Sequence, residues 1–418
     1  MSSEAKILGY LENYHSHPNK DLFRTDHEEN QTIVKTLSVA GRDIPVFINE
    51  FWTAKQRQAN SLHEIPYRAC FKAQLPGFFI DLLTDPNDIV FDPFAGRGTT
   101  AIEAALRGRN IISNDVNPLS ESLTRPRLSI PNIPDLKDRL QAIKLGHNSQ
   151  ARRNLSMFYH PDTESELVDL RRYLREQSRD HQLDDLDQWI QMVATTRLTG
   201  HSTGFFSVYT LPPNQAVTPE SQKRINEKRN QKPSYKPIKP RILKKSKRLL
   251  RDVDAKQAIN LREAADSALF FQNDARQMEE IDDRRIDLTV TSPPFLDVVD
   301  YSEDNWLRCW FHGMEVEKVQ ANITHTPNID RWTEVMLNVF HELYRMTGPS
   351  GWVAFEVGEI RGGEIKLDQH VVPLGLESGF ECAGILINQQ EFTKTSNIWG
   401  VDNNSKGTNT NRIVLFQK

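Results

Sequence analysis

Apolar and polar positions follow two rhythms along this chain, and each rhythm keeps to its own stretch. Between residues 88 and 115 short apolar runs flank a glycine turn. The run "DIVFDPF" (88–94) predicts a short buried strand entering a turn. "TTAIEAALRGR" (99–109) predicts a helix stopped at Gly108, and "NIISND" (110–115) a second short strand. Strand, turn, helix and strand in this order make a βαβ unit, which builds a parallel sheet through a right-handed crossover. Ligands of such sheets sit beyond the carboxyl ends of the strands, so Asp92–Gly98 and Asn114–Asp115 are expected on one rim.

From about Pro118 to Ala265 the rhythm is helical and polar. Leu167, Leu170 and Leu174 recur at helical spacing, as do Leu186, Trp189, Ile190 and Val193. A Gly/Pro loop with aromatics (200–217) leads into a basic tract. There the three prolines of "KPSYKPIKPR" predict an extended, non-helical segment. Sheet patterning resumes at "ALFFQND" (268–274) and "IDLTVTSPPF" (286–295). An amphipathic helix then carries Trp332, Val335, Met336, Val339, Phe340 and Leu343, and the strands "GWVAFEVG", "ECAGILINQQ" and "NRIVLFQK" follow. Ahead of the βαβ unit, the first eighty or so residues read as mixed helix and loop, with a helix starting near Gly77. The expected divisions are a helical and loop extension over 1–65, an α/β domain over 66–128 and 266–418, and a helical, basic insertion over 129–265.

Composition narrows the class. The chain has 418 residues, 38% hydrophobic and 26% charged, which describes a folded protein with a polar surface. No window approaches the ~18 consecutive apolar residues of a membrane span, and no secretory leader pattern opens the chain, so a cytoplasmic location is expected. The three cysteines, Cys70, Cys309 and Cys382, form no CxxC pair, and no metal site is expected. The net charge of −4 hides a local excess: from Glu220 to Arg251 there are 13 bases against two acids. A basic stretch in a mildly acidic chain points to an anionic partner for that stretch.

The turn "DPFAGRGTT" (92–100) has no lysine where a P-loop needs one. Gly96, Gly98 and Ala101 fit the looser dinucleotide pattern, with Asp115 near the place of a ribose-binding acid. The same stretch resembles the S-adenosylmethionine (SAM) motif of amino-group DNA methyltransferases, Asp-Pro-Phe-x-Gly-x-Gly-Thr-Thr. "VTSPPF" (290–295) resembles that family's catalytic Ser-Pro-Pro-[Tyr/Phe] motif.

The resemblance implies an α/β, doubly wound, mostly parallel Rossmann-like methyltransferase sheet with a helical, basic insertion. It implies SAM as cofactor, held by Asp92, Phe94, Gly96, Gly98, Thr99, Asp115 and Asp274. Asp274 resembles the acid that meets the adenine amine, and Asp92 the acid that orients the methionine ammonium. Plain structural roles stay open for the acids: Asp274 as a helix N-cap, Asp115 as a turn residue, Asp92 as a strand-end cap. Phe71 lies near a segment that packs beside the methionine, with core packing the alternative.

At Ser292, Pro293, Pro294 and Phe295 the implied chemistry is methylation of an exocyclic base amine. The amine lone pair is delocalised, so acceptors aimed at its N–H groups favour attack; the Ser292 hydroxyl and Pro293 carbonyl suit this, and Phe295 offers a stacking face. The base must first leave the duplex. Carbon methylation of cytosine would need a nucleophilic cysteine, which in the family that performs it follows a proline, and none of the three cysteines here does. Serine at this position favours cytosine N4 as acceptor; adenine N6 and an RNA guanine-N2 amine are the alternatives, as is an inactive DNA-binding relative.

The implied partner is double-stranded DNA, with a cognate restriction endonuclease as a possible second partner. Lys223, Arg224, Lys228, Arg229, Lys244, Lys245, Lys247 and Arg248 are candidates for phosphate contacts, with Tyr235 among them; a solvated linker is the alternative reading. Tyr301 and Trp306 are candidates for the base pocket. One departure from the family order is that the insertion precedes Asp274 instead of following it.

Overall fold

The computed structural model describes residues 3–16, 30–52, 59–68, 70–212, 216–294, 301–322, 326, 328–360, 364–389 and 410–418. Its centre is a 9-stranded sheet: β1 (Ile33–Val39), β2 (Arg42–Asn49), β3 (Ile89–Asp92), β4 (Asn110–Asn114), β5 (Leu269–Phe271), β6 (Ile286–Thr291), β7 (Thr347–Val357), β8 (Glu381–Gln389) and β9 (Thr410–Gln417). The spatial order is β1-β2-β8-β9-β7-β6-β3-β4-β5. The pairs β3/β4, β4/β5, β3/β6, β6/β7 and β2/β8 are parallel. β9 runs antiparallel between β7 and β8, and β1 antiparallel to β2.

Strand side chains alternate between two cores, as a sheet covered on both faces requires. Val90, Ile111, Leu288, Trp352 and Ile413 join one cluster; Phe91, Ile112, Val353, Phe355 and Val414 join the other. The helix Ile329–Met346 closes the second face with Trp332, Met336, Val339, Phe340 and Leu343, the positions its periodicity predicts. The first face is covered by the helices Gln74–Leu83, Thr99–Leu106 and Ala255–Ser267. Helices Pro161–Arg179, Asp185–Thr195 and Ile238–Leu249 pack there too: Leu167, Trp189 and Ile242 share one core with Ile102 and Ile111. The insertion is thus welded to the sheet by common apolar burial.

Three local expectations are corrected. Residues 33–49, expected as helix or loop, form a hairpin turned at Ala40 and Gly41 (φ 52° and 72°), and its β2 strand pairs with β8. The basic proline tract is extended only to Pro237; a helix starts at Ile238, and Pro240 sits in its first turn, where a missing N–H costs nothing. The helix expected near Gly77 begins at Gln74, again with a proline in its first turn.

From β3 the chain winds to β4 and β5 on one side, then crosses to β6 and β7 on the other. The order therefore reverses between β3 and β6, and the crevice at their carboxyl ends is the expected ligand site.

Candidate functional site at the β3/β6 switch point

The glycine turn and the Ser-Pro-Pro segment leave neighbouring strands at the same end of the sheet. Val90 pairs with Leu288 and Phe91 with Thr289. The Thr291 hydroxyl donates to Asp92 Oδ1 at 2.6 Å, and the Thr100 hydroxyl donates to the Val290 carbonyl at 3.0 Å. Segments nearly two hundred positions apart are thereby tied at one rim.

Asp92 is buried. Oδ1 also accepts from the Phe94 amide at 3.1 Å, while Oδ2 has no hydrogen-bond partner among the described residues. Burial pushes its carboxyl up to about 7, against the opposing hydrogen bonds from Thr291 and Phe94. Phe94 is half-buried against the second core.

The two glycines do different work. Gly96 has φ 53°, and a Cβ there would meet only the Tyr67 ring, at 3.6 Å; its N–H donates to Asp115 Oδ2 at 2.7 Å. Gly98 has φ 72°, and a Cβ there would lie 2.1 Å from Thr124 Oγ1. So among the described residues nothing crowds Gly96, whereas Gly98 allows helix packing. Thr99 is buried, and its hydroxyl accepts from Arg97 Nε at 3.1 Å.

Asp115 also accepts from the Asn117 amide at 2.9 Å, and burial pushes its carboxyl up to about 6. Asp274 follows β5. Its carboxylate pairs with Arg276 and accepts the Arg276 amide at 3.0 Å; the guanidinium holds its pKa below the ordinary carboxylate value. It closes a turn, and the helix considered for 275–280 is not formed. Asn114 stitches the three strand ends together: its Nδ2 donates to the Pro93 and Asn273 carbonyls, and its Oδ1 accepts from the Asn273 amide.

Ser292 is half-buried and hydrogen-bonded to Glu356 of β7, a residue the sequence reading missed. Thr291 pairs with Phe355 across the parallel ladder, which sets Glu356 beside Ser292. Asn411 Nδ2 donates to the same carboxyl at 2.8 Å, and burial pushes Glu356 up to about 7. An acid inside the apolar run "GWVAFEVG" was the available signal. Pro293 is buried, and the Pro294 carbonyl accepts from Trp332 Nε1 at 3.0 Å. Phe295 lies outside the described residues. Trp306 is buried, with its indole N–H on the Val217 carbonyl at 3.1 Å, so core packing accounts for it. Phe71 is half-buried against the first core, and the Tyr301 side chain lies outside the described set.

The basic candidates separate. Lys223, Arg224, Lys228, Lys244 and Lys247 are exposed. Arg229 is exposed and lies over the Tyr209 ring, 3.8 Å from its centroid. Arg248 pairs with Glu64. Lys245 is corrected: it is buried, and its ammonium donates to the Glu64 carbonyl. Tyr235 is exposed and hydrogen-bonded to Glu166.

Among the described residues no cluster of His, Cys, Asp and Glu could hold a metal ion, and no helix is long and apolar enough to cross a membrane.

A mostly parallel, doubly wound sheet with a glycine turn and a Ser-Pro-Pro segment at its switch point has the Rossmann-like architecture of methyltransferases. Residues 4–122 match the family described as DNA methylase, N6_N4_Mtase, and over that stretch the chain resembles the amino-group DNA methylases. The match includes the β1–β2 hairpin. The chain is 46% identical over 50 residues to the type II methyltransferase M.PvuII of Proteus hauseri, covering 12% of this chain and 15% of that protein. It is 31% identical over 85 residues to the type II methyltransferase M.MjaII of Methanocaldococcus jannaschii, covering 20% and 16%. These matches span about a sixth of each curated relative. A SAM-dependent methyltransferase structure from Methanosarcina mazei aligns at 11% identity over 81% of this chain and 96% of that one, with a TM-score of 0.33.

Proposed function

We propose that the protein methylates an exocyclic amine of a base in double-stranded DNA, with SAM as donor and cytosine N4 as acceptor. The Thr291–Asp92 hydrogen bond carries this reading, because it puts the glycine turn and Ser292 on one rim. The residues at the turn fit the cofactor. Asp92 Oδ2 is a buried acceptor with capacity for an ammonium-bearing ligand, Gly96 leaves room for close approach, and Asp115 stands at the next strand end, where ribose hydroxyls can be met. When bound, SAM supplies an electrophilic methyl group on a sulfonium.

The protein's own part is positioning. With its proton directed at Glu356, the Ser292 hydroxyl has lone pairs left to accept an amine N–H. The consecutive prolines restrict the backbone, and the Pro294–Trp332 bond anchors it. Acceptors aimed in this way localise the nitrogen lone pair without any covalent intermediate. Ser292 favours cytosine N4 over adenine N6 through the resemblance already drawn. A cognate endonuclease remains part of the reading as a second protein acting on the same site.

The test is to methylate DNA, digest it to nucleosides and identify the modified base by mass spectrometry. N4-methylcytosine is expected, with Ser292→Ala lowering the rate by roughly 10²–10³ while SAM binding persists. N6-methyladenine would overturn the base assignment, and modification of tRNA alone would overturn the DNA assignment.

A further inference from the structure

Five successive backbone carbonyls, Leu62 through Pro66, each accept a hydrogen bond from a cationic side chain. Arg127 reaches Leu62 at 3.2 Å, Arg97 reaches His63 at 3.2 Å and Ile65 at 3.0 Å, Lys245 reaches Glu64, and Arg308 reaches Pro66 at 2.9 Å. The strap so formed starts at Ser61, whose hydroxyl donates to the Leu249 carbonyl at 2.7 Å, and runs to Tyr67 beside Gly96. It joins the basic helix Ile238–Leu249 to the cofactor turn.

The Glu64 side chain turns into that helix. Its carboxylate faces Lys245 at 3.8 Å, Arg251 at 3.4 Å and Arg248 at closer range. Arg197 adds a fourth cation: its guanidinium lies 4.0 Å from the Phe205 centroid, and its Nε is buried with no hydrogen-bond partner among the described residues. Asp252 shares Arg251. Positive charge exceeds what these carboxylates offset. Burial and then the charge of Arg197 push Lys245 down to about 7, and burial and then Arg248 push Arg197 down to about 10. Arg248 and Arg251 side chains are 63% and 54% exposed, so a ligand can reach them.

We propose that Arg248 and Arg251, backed by the buried charges of Lys245 and Arg197, bind a backbone phosphodiester of duplex DNA, and that Glu64 fills the site as an internal stand-in until DNA displaces it. A carboxylate and a phosphodiester each present one negative charge over two oxygens, and both satisfy guanidinium groups in the same way. The proposal rests on the DNA-substrate reading and names which cations serve it.

The test is fluorescence anisotropy of a short labelled DNA duplex on the full chain across a salt series, without SAM, with melting temperatures as the folding control. E64Q is expected to tighten binding about three- to tenfold at low salt. R248Q/R251Q is expected to weaken it roughly tenfold and to lower the salt slope by ~1 for each phosphate no longer engaged. In the R248Q/R251Q background E64Q should change nothing, because its effect is coupled to those two arginines. Unchanged or weaker binding by E64Q overturns the site. So does tightening that persists without the arginines, which marks a general charge effect, or tightening confined to duplex RNA. DNA methylation with a neutral E64Q would sink this site and leave the proposed reaction; E64Q tightening without methyl transfer would do the reverse.

Discussion

Replacing each turn glycine by alanine should damage two different properties. At Gly98 the new Cβ would sit 2.1 Å from Thr124 Oγ1, 2.5 Å from its Cγ2 and 2.8 Å from its Cβ, at φ 72°. The left-handed backbone costs a non-glycine residue ~1–2 kcal/mol, and overpacking a close core contact ~1–3 kcal/mol, so Gly98→Ala should lose ~2–5 kcal/mol of stability. At Gly96 the nearest atom of the described residues is 3.6 Å away, an ordinary contact, so only the backbone cost of ~1–2 kcal/mol applies. The Cβ there enters the space beside Tyr67, and SAM affinity should fall about tenfold or more. Chemical denaturation and calorimetric titration with SAM read the two effects separately. Thr124→Ala removes Oγ1 and Cγ2 but leaves Cβ, so the double variant should recover part of the Gly98→Ala loss. If Gly96→Ala proves as destabilising as Gly98→Ala, or Thr124→Ala restores nothing, the division of labour between the glycines is wrong.

Three further outcomes follow from the site and the basic tract. Asp92 and Glu356 both have folded-state pKa values raised to about 7 from ordinary values near 4, so the folded protein holds protons that the unfolded chain releases. Stability should therefore fall as pH rises from about 4.5 to 7, on the order of 3 kcal/mol per group, and Glu356→Gln should flatten that slope in denaturation curves. Lys223→Ala with Lys228→Ala should lower the salt slope of DNA binding and leave the melting temperature unchanged, because both are exposed; Lys245→Ala should lower the melting temperature, because the Glu64 carbonyl loses its buried donor.

The rim was largely legible in the sequence. Short apolar runs, paired glycines and the Ser-Pro-Pro motif are local signals, and local signals placed β3, the helix after Gly98, β4 and β6 close to where they lie. The amphipathic helices were legible for the same reason, since Leu167, Trp189 and Phe340 recur at helical spacing. What escaped depends on partners far along the chain. The β1–β2 hairpin carries an Ala-Gly turn, but its place in the sheet is set by β8, more than 300 residues on, and β1 is an edge with Ile33 and Val34 exposed. Arg97 and Arg127 are buried with no sequence signal, because the carbonyls they bind belong to an irregular segment with no pattern of its own. Glu356 becomes informative only once β7 is aligned beside Ser292. Lys245 looked like its basic neighbours, and the helical face it occupies turns it inward.

The position of β9 bears on how the protein is made. This strand comes last in sequence among the nine, yet it lies between β7 and β8 and, among the described strands, is the one link that ties β8, β2 and β1 to the rest of the sheet. As the chain leaves the ribosome, the βαβ unit can close early from neighbouring segments, while β7 presents an unpaired apolar edge until residues 410–417 emerge. Assembly of this sheet is therefore held open until β9 has been made, and that interval is when a nascent molecule is most exposed to pairing with the wrong neighbour.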